Sequence, residues 1–136
     1  MAEYKKPLPL PNSDTKEFWD GAKRHELLLQ KCSKCGNYRY PPSPICPNCF
    51  SMDFKWEKTS GKGEVYTYTI IRIPLSPEWE PYVPYVLATI KLDEGVRMVA
   101  TVVDCKPEDV KIGMKVRVVF NDATEQFAIP EFKPVA

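Results

Sequence analysis

The sequence predicts a mainly β protein: a short N-terminal helix and a four-cysteine metal module, followed by a five-stranded Greek-key barrel of the OB type. Three observations carry this. The stretch KCSKCGNYRYPPSPICPNC, residues 31–49, holds two CxxC pairs separated by ten residues. After residue 61, five segments alternate or run apolar as strands do. A GKG bend at 61–63 and one longer connection between the third and fourth segments suit closure into a small barrel, with a small sandwich as the competing arrangement.

Residues 1–12 read as an extended, proline-rich arm. From Ser13 the pattern changes: Asp14 and Glu17 have capping-box spacing, and Phe18, Trp19 and Ala22 put apolar bulk on one side of a short helix. ELLLQKC (26–32) reads as a strand entering the first cysteine pair, and DFKWEKTS alternates Phe54 and Trp56 against charged residues. The barrel strands are expected at 64–73, 85–92, 96–103, 115–120 and 125–132, with Asp93, Glu94 and Gly95 as a tight hairpin turn and PEDV (107–110) as one helical turn. Val86, Ala88, Ile90, Val116, Val118 and Phe120 are the expected core of the barrel. The implied division is an arm at 1–12, helix and metal module at 13–60, and barrel at 61–136.

Composition narrows the function. In 136 residues, 43% hydrophobic and 27% charged, no apolar run approaches the roughly 20 residues that span a bilayer. The N-terminus lacks the apolar core of a signal peptide, so a cytoplasmic setting with reduced thiols is expected, which favours metal over disulfide. The formal net charge of +1 divides unevenly: residues 1–61 carry ten Lys/Arg against seven Asp/Glu, residues 62–136 nine against eleven. Most of the 14 prolines sit at segment joints, where fixed backbone angles suit turns and sheet edges.

Two CxxC knuckles facing one another present four thiolates as a tetrahedral set suited to zinc, with Cys32, Cys35, Cys46 and Cys49 as the candidate ligands. Disulfides, a redox pair or a rubredoxin-type iron centre are the alternatives, and spacing leaves zinc against iron open. Four protein thiolates leave no coordination position for water or substrate, so the metal is expected to be structural. Gly36 lets the first knuckle turn its amides toward sulfur. Cys105 stands apart and reads as an inert, partly buried thiol.

The one histidine, His25, sits beside Arg24 and Glu26 and reads as a surface or packing residue. The chain has no GxSxG, HExxH, Walker loop or GxGxxG, and the carboxylate neighbours Glu78/Glu80 and Asp93/Glu94 fall in turns. These features point away from an enzyme working unaided.

Taken together, FWDGAKRHELLLQKC, CGNYRYPPSPICPNC, GKGEVYTYTIIRIP, YVLATIKLDEG and PEDVKIGMKVRVVF resemble the acyl-CoA-associated OB-fold family. Its members carry an N-terminal helix and a rubredoxin-like zinc ribbon. The resemblance implies a non-catalytic scaffold that binds or helps channel acyl-CoA beside thiolase-like enzymes. It implies an acetoacetyl-CoA thiolase and a hydroxymethylglutaryl-CoA (HMG-CoA) synthase as partners in archaeal relatives, serving mevalonate and isoprenoid lipid metabolism. Coenzyme A or acyl-CoA is the implied ligand, and zinc at Cys32, Cys35, Cys46 and Cys49 the implied cofactor.

The opposing reading is a single-stranded nucleic-acid binder, with Tyr66, Tyr68, Tyr82 and Tyr85 stacking bases; Tyr66 and Tyr68 fall on one strand face by simple alternation. The acidic balance of the barrel half weighs against it. Coenzyme A needs fewer cations, and Arg72, Lys91, Arg97 and Arg117 lie on barrel strands, yet nothing in the sequence selects ligand residues among them. The proline-rich arm, PEWEPYVP, Trp79 and Tyr82 are candidate docking surfaces for a larger enzyme.

Overall fold

The computed structural model describes residues 6–135. The first five residues of the 1–12 arm, and Ala136, lie outside the described residues. Helix α1 (Lys16–Lys23) forms where expected, but not through the Asp14–Glu17 capping box. Asn12 comes first: its Oδ1 accepts the N–H groups of Asp14 (2.9 Å) and Thr15 (3.0 Å), and its carbonyl accepts that of Lys16 (2.9 Å). The short amide side chain thereby fixes the turn that leads into the helix, while the Asn12 backbone carbonyl takes the first helical N–H. Phe18, Gly21 and Ala22 form the buried face of α1.

Strands β1 (Leu28–Cys32), β2 (Tyr38–Arg39) and β3 (Phe54–Lys58) make an antiparallel sheet in the order β2-β1-β3. Thr59 ends it, donating both its N–H and its hydroxyl to the Leu27 carbonyl, each at 2.9 Å.

Strands β4 (Lys62–Ile71), β5 (Tyr85–Leu92), β6 (Arg97–Val102), β7 (Lys115–Asn121) and β8 (Ile129–Pro134) close a barrel in the order β4-β5-β6-β8-β7. Every pairing is antiparallel except β6 with β8. This is the predicted five-stranded OB barrel. Closure occurs at Gly63, which pairs with Leu92 on one side and Val116 on the other; a Cβ there would stand 2.6 Å from the Lys91 carbonyl oxygen. Only glycine lets the two neighbouring strands approach so closely.

Two strand expectations shift. The last strand starts at Ile129 rather than Glu125, because the Thr124 hydroxyl accepts the N–H groups of Gln126 and Phe127 (3.1 Å each) and holds that segment as a turn. In β4 the register breaks between Val65 and Thr67, a bulge that leaves Tyr66 outward while Val65 and Tyr68 both turn inward. Tyr66 and Tyr68 therefore lie on opposite faces, contrary to simple alternation.

Val86, Ala88, Ile90 and Val116 are buried as expected; Val118 and Phe120 are half-buried against the same cluster. Phe132 lies at its centre, and the 3₁₀ turn Pro107–Asp109 delivers Val110 into it. Phe18, Leu27 and Leu29 belong to this cluster too, so helix, small sheet and barrel share one apolar core. His25 adds an outer seam, stacking flat on Phe120 at 5.2 Å with its Nε2 2.7 Å from Asp122 Oδ1. Among the described residues no helix is long and apolar enough to cross a membrane.

Candidate metal centre

Both knuckles are built by the same backbone bonds. At the first, Gly36 N–H donates to the Cys32 carbonyl (3.0 Å) and Cys32 N–H to the Asn37 carbonyl (2.9 Å). At the second, Phe50 N–H donates to the Cys46 carbonyl and Cys46 N–H to the Ser51 carbonyl, each at 2.9 Å. The fifth residue of each must turn left-handed: Gly36 has φ +80° and Phe50 has φ +63°. Glycine does this without strain, whereas Phe50 holds a conformation costing of order 1 kcal/mol with its ring 76% exposed. Aligning CPNCF with CSKCG places Phe50 at the glycine position, a signal the spacing alone does not raise.

The four sulfurs converge. Cys32 and Cys49 Sγ are 3.6 Å apart, as are Cys35 and Cys46 Sγ, and all four lie within 4.8 Å of one another. All four cysteines are free, and these separations far exceed a disulfide's roughly 2.05 Å. A tetrahedron of sulfurs about 2.3 Å from zinc has edges of about 3.8 Å, so this donor set fits such an ion. Amide donors hold three thiols below the usual thiol range: the Cys35 N–H acts on Cys32, the Asn37 N–H on Cys35 and the Cys49 N–H on Cys46. The Ser51 N–H pulls Cys49 the same way, but burial and the neighbouring sulfurs outweigh it and push Cys49 up to about 11. Four sulfurs this close do not all ionise without a cation between them.

A buried clamp sets one knuckle against the other. Arg39, 4% exposed, donates from Nε (3.0 Å) and Nη2 (2.7 Å) to the Ser43 carbonyl and from Nε to Gln30 Oε1 (3.1 Å). Ser43 N–H returns to the same Gln30 oxygen at 2.8 Å, and the guanidinium lies 4.7 Å over the Phe54 ring. The loop carrying Cys46 is thereby tied to the strand carrying Cys32.

Cys105 is half-buried beside the barrel core, as expected of an inert thiol. Burial, then Asp109 and Asp104, push its pKa up, so it stays a protonated thiol at neutral pH. With the four-sulfur site metal-loaded, Ellman's reagent is expected to titrate one slow thiol at pH 7, quickening as pH rises past the ordinary thiol range; a fast reaction at pH 7 contradicts the assignment.

The remaining candidates are scattered. Lys91 and Arg97 are register partners on β5 and β6, and Arg97 covers the Tyr66 ring at 4.3 Å. Arg117 lies on β7, and Arg72 just beyond the end of β4. Tyr68 packs against the core, and Tyr82 and Tyr85 pack around Trp79, with Lys6 Nζ 4.5 Å from the Tyr82 ring centroid. The four tyrosines therefore form no common stacking platform. Trp79 is half-buried in that cluster rather than free; the exposed apolar side chains of its connection are Ile73 and Leu75.

Paired thiol knuckles sharing a core with a closed barrel define a two-part ribbon and OB-fold protein. Residues 19–54 match the family described as "ChsH2, rubredoxin-like zinc ribbon domain" and residues 56–121 match "ChsH2, C-terminal OB-fold domain". The chain belongs to this ChsH2/DUF35 family. It is 44% identical over 103 residues to a DUF35 domain-containing scaffold protein of Methanocaldococcus jannaschii, covering 75% of this chain and 72% of that one. It is 36% identical over 129 residues to a probable enoyl-CoA hydratase alpha subunit of Thermomonospora curvata, which takes in 95% of this chain but only 40% of the relative. A benzoylsuccinyl-CoA thiolase subunit, BbsA of Geobacter metallireducens, is 31% identical over 70 residues, or 52% of this chain and 45% of that one. Among solved structures, a chain of an Ltp2–ChsH2(DUF35) aldolase superposes with a TM-score of 0.86 at 35% identity, over 95% of this chain and 100% of that one.

Proposed function

We propose that this chain is a non-catalytic accessory subunit that binds or helps channel an acyl-CoA beside a thiolase-like enzyme, braced by zinc at Cys32, Cys35, Cys46 and Cys49. One observation carries the reading: the four sulfurs lie within 4.8 Å of one another, two pairs of them at 3.6 Å, a donor set that fills a tetrahedral ion and leaves it no position for substrate. Kinship to a scaffold protein, a thiolase subunit and an aldolase complex supports the accessory role. In the finer form, the partners are an acetoacetyl-CoA thiolase and an HMG-CoA synthase, in the cytoplasm, and the parts are an arm at 1–12, a helix and ribbon at 13–60 and a barrel at 61–136. When bound, the metal supplies cross-linking between the knuckles. The chain's own residues hold it: the β1 end and the Arg39 clamp aim the sulfurs, and the shared core carries the ribbon on the barrel.

The test is co-expression with a thiolase-like enzyme and, separately, with an HMG-CoA synthase, followed by size-exclusion chromatography and assay of each species. A stable complex that raises the enzyme's acyl transfer, with no turnover by this chain alone, is expected. Product formation by the isolated chain, or no complex with any thiolase-like enzyme, overturns the proposal.

A further inference from the structure

The barrel's register assembles a row of cations that the chain does not neutralise. Lys62 on β4 pairs with Arg117 on β7, and Arg117 pairs with Lys133 on β8. Gly63, Val116 and Phe132 alternate with them into the core, so all three side chains stand on the outer face. Like charges directly opposite across strands are destabilising, and here three stand side by side.

Four of the carboxylates nearby are engaged elsewhere. Glu64 pairs with Lys115 (3.3 Å), Glu131 accepts from the Thr101 hydroxyl (3.0 Å), Asp122 holds His25 and Glu94 accepts the Ser60 N–H (3.0 Å). Asp93 meets Lys62 only through the backbone, its N–H donating to the Lys62 carbonyl at 3.0 Å. Among the described residues, no carboxylate pairs with Lys62, Arg117, Lys133 or the nearby Lys58. The neighbouring row, by contrast, places a carboxylate, Glu64, between Lys91 and Lys115 and pairs it with Lys115.

Arg117 also lines an open cleft of about 340 Å³ at the junction of small sheet and barrel, with Lys58, His25, Ser60 and the Gly61 backbone. The cleft is polar, and its rim is cationic on both sides.

We infer that Lys58, Lys62, Arg117 and Lys133 form a binding site for a ligand with clustered phosphates, a diphosphate or a diphosphate with a phosphate monoester. Guanidinium and ammonium groups spaced by a β register meet several phosphate oxygens at once, and the charge that costs the empty barrel stability becomes attraction in the complex. The nucleotide end of coenzyme A has this chemistry, and naming it as the ligand rests on the accessory acyl-CoA reading. The site itself rests on the barrel register and on the cleft that Lys58 shares with Arg117.

The experiment titrates the full metal-loaded chain with pyrophosphate, coenzyme A, dephospho-coenzyme A and a short single-stranded oligonucleotide at two salt concentrations, for the parent, Arg117→Glu, Lys133→Glu and the control Lys91→Glu. Expected are binding of pyrophosphate and coenzyme A weakened about ten- to a hundredfold by Arg117→Glu or Lys133→Glu and unchanged by Lys91→Glu. Arg117→Glu is also expected to raise the melting temperature, since it sets a carboxylate between two lysines; a purely structural arginine would lower it. Pyrophosphate binding without coenzyme A binding supports the site and removes coenzyme A as its ligand. Coenzyme A binding indifferent to Arg117→Glu overturns the site and leaves the acyl-CoA reading intact. No binding of any probe, or binding of the oligonucleotide alone, overturns the site.

Discussion

Cys46→Ser is expected to unfold the ribbon rather than merely loosen its metal. Cys46 is 1% exposed, and its backbone closes the second knuckle through both Phe50 and Ser51. The hydroxyl is close in size to the thiol, so the loss is not one of volume; it is the loss of a soft anionic ligand from a set of four. The local sheet offers little to fall back on, since β2 has two residues and β1 and β3 five each. A bound structural zinc contributes on the order of 10 kcal/mol of folding free energy, comparable to the whole stability of a small protein. Phe18, Leu27 and Leu29 sit in the core they share with the barrel, so their release also weakens the barrel. Expected are loss of metal in elemental analysis, a red shift of tryptophan fluorescence as Trp19 and Trp56 enter water, and an earlier, broader melt of the remaining β signal. Chelation of the parent should give the same spectrum. A Cys46→Ser chain that lacks metal yet keeps the parent's fluorescence and melting temperature shows that the shared core suffices and the metal does not brace the fold.

How much of this was legible in the sequence depends on how local each cause is. The cysteine knuckles are set by residues three apart, and the structure brings all four sulfurs together as spacing implies. Strands β5 and β7 were readable within a residue because alternation is written into each strand. Two failures have equally local causes: Thr124 captures a turn where alternation suggested strand, and a single extra residue at Tyr66 reverses the parity of β4. What pattern could not reach is what register creates. Gln30 and Arg39 meet only because β1 and β2 pair, and Lys62, Arg117 and Lys133 line up only because β7 lies between β4 and β8. A charge tally over residues 62–136 is acidic and hides a basic row within it. The Arg39 clamp is a buried polar network, expensive unless satisfied, and its partner Ser43 lies in a loop without periodicity.

Phe132→Ala is expected to destabilise the metal-loaded chain by about 3–5 kcal/mol. Phe132 is wholly buried, and it sits where the barrel is least stitched: the single register pair between β6 and β8 is Val102 with Phe132. Val103 N–H donates to its carbonyl at 2.7 Å, so backbone and ring hold the same seam from two sides. On β7, Val118 faces it. Alanine keeps the backbone bond but empties the centre of a closed cylinder. Its walls are tied in hydrogen-bonded rows and cannot collapse inward as a loose surface would, so the cavity term adds to the lost transfer energy. The urea midpoint should fall with the slope unchanged, and hydrogen exchange at the Val103 amide should quicken more than at amides in the β4–β5 pairing, because the seam opens first. A loss below about 1 kcal/mol, or uniform exchange across the barrel, means that β6 and β8 are held by their outer neighbours and that Phe132 fills space without closing the ring.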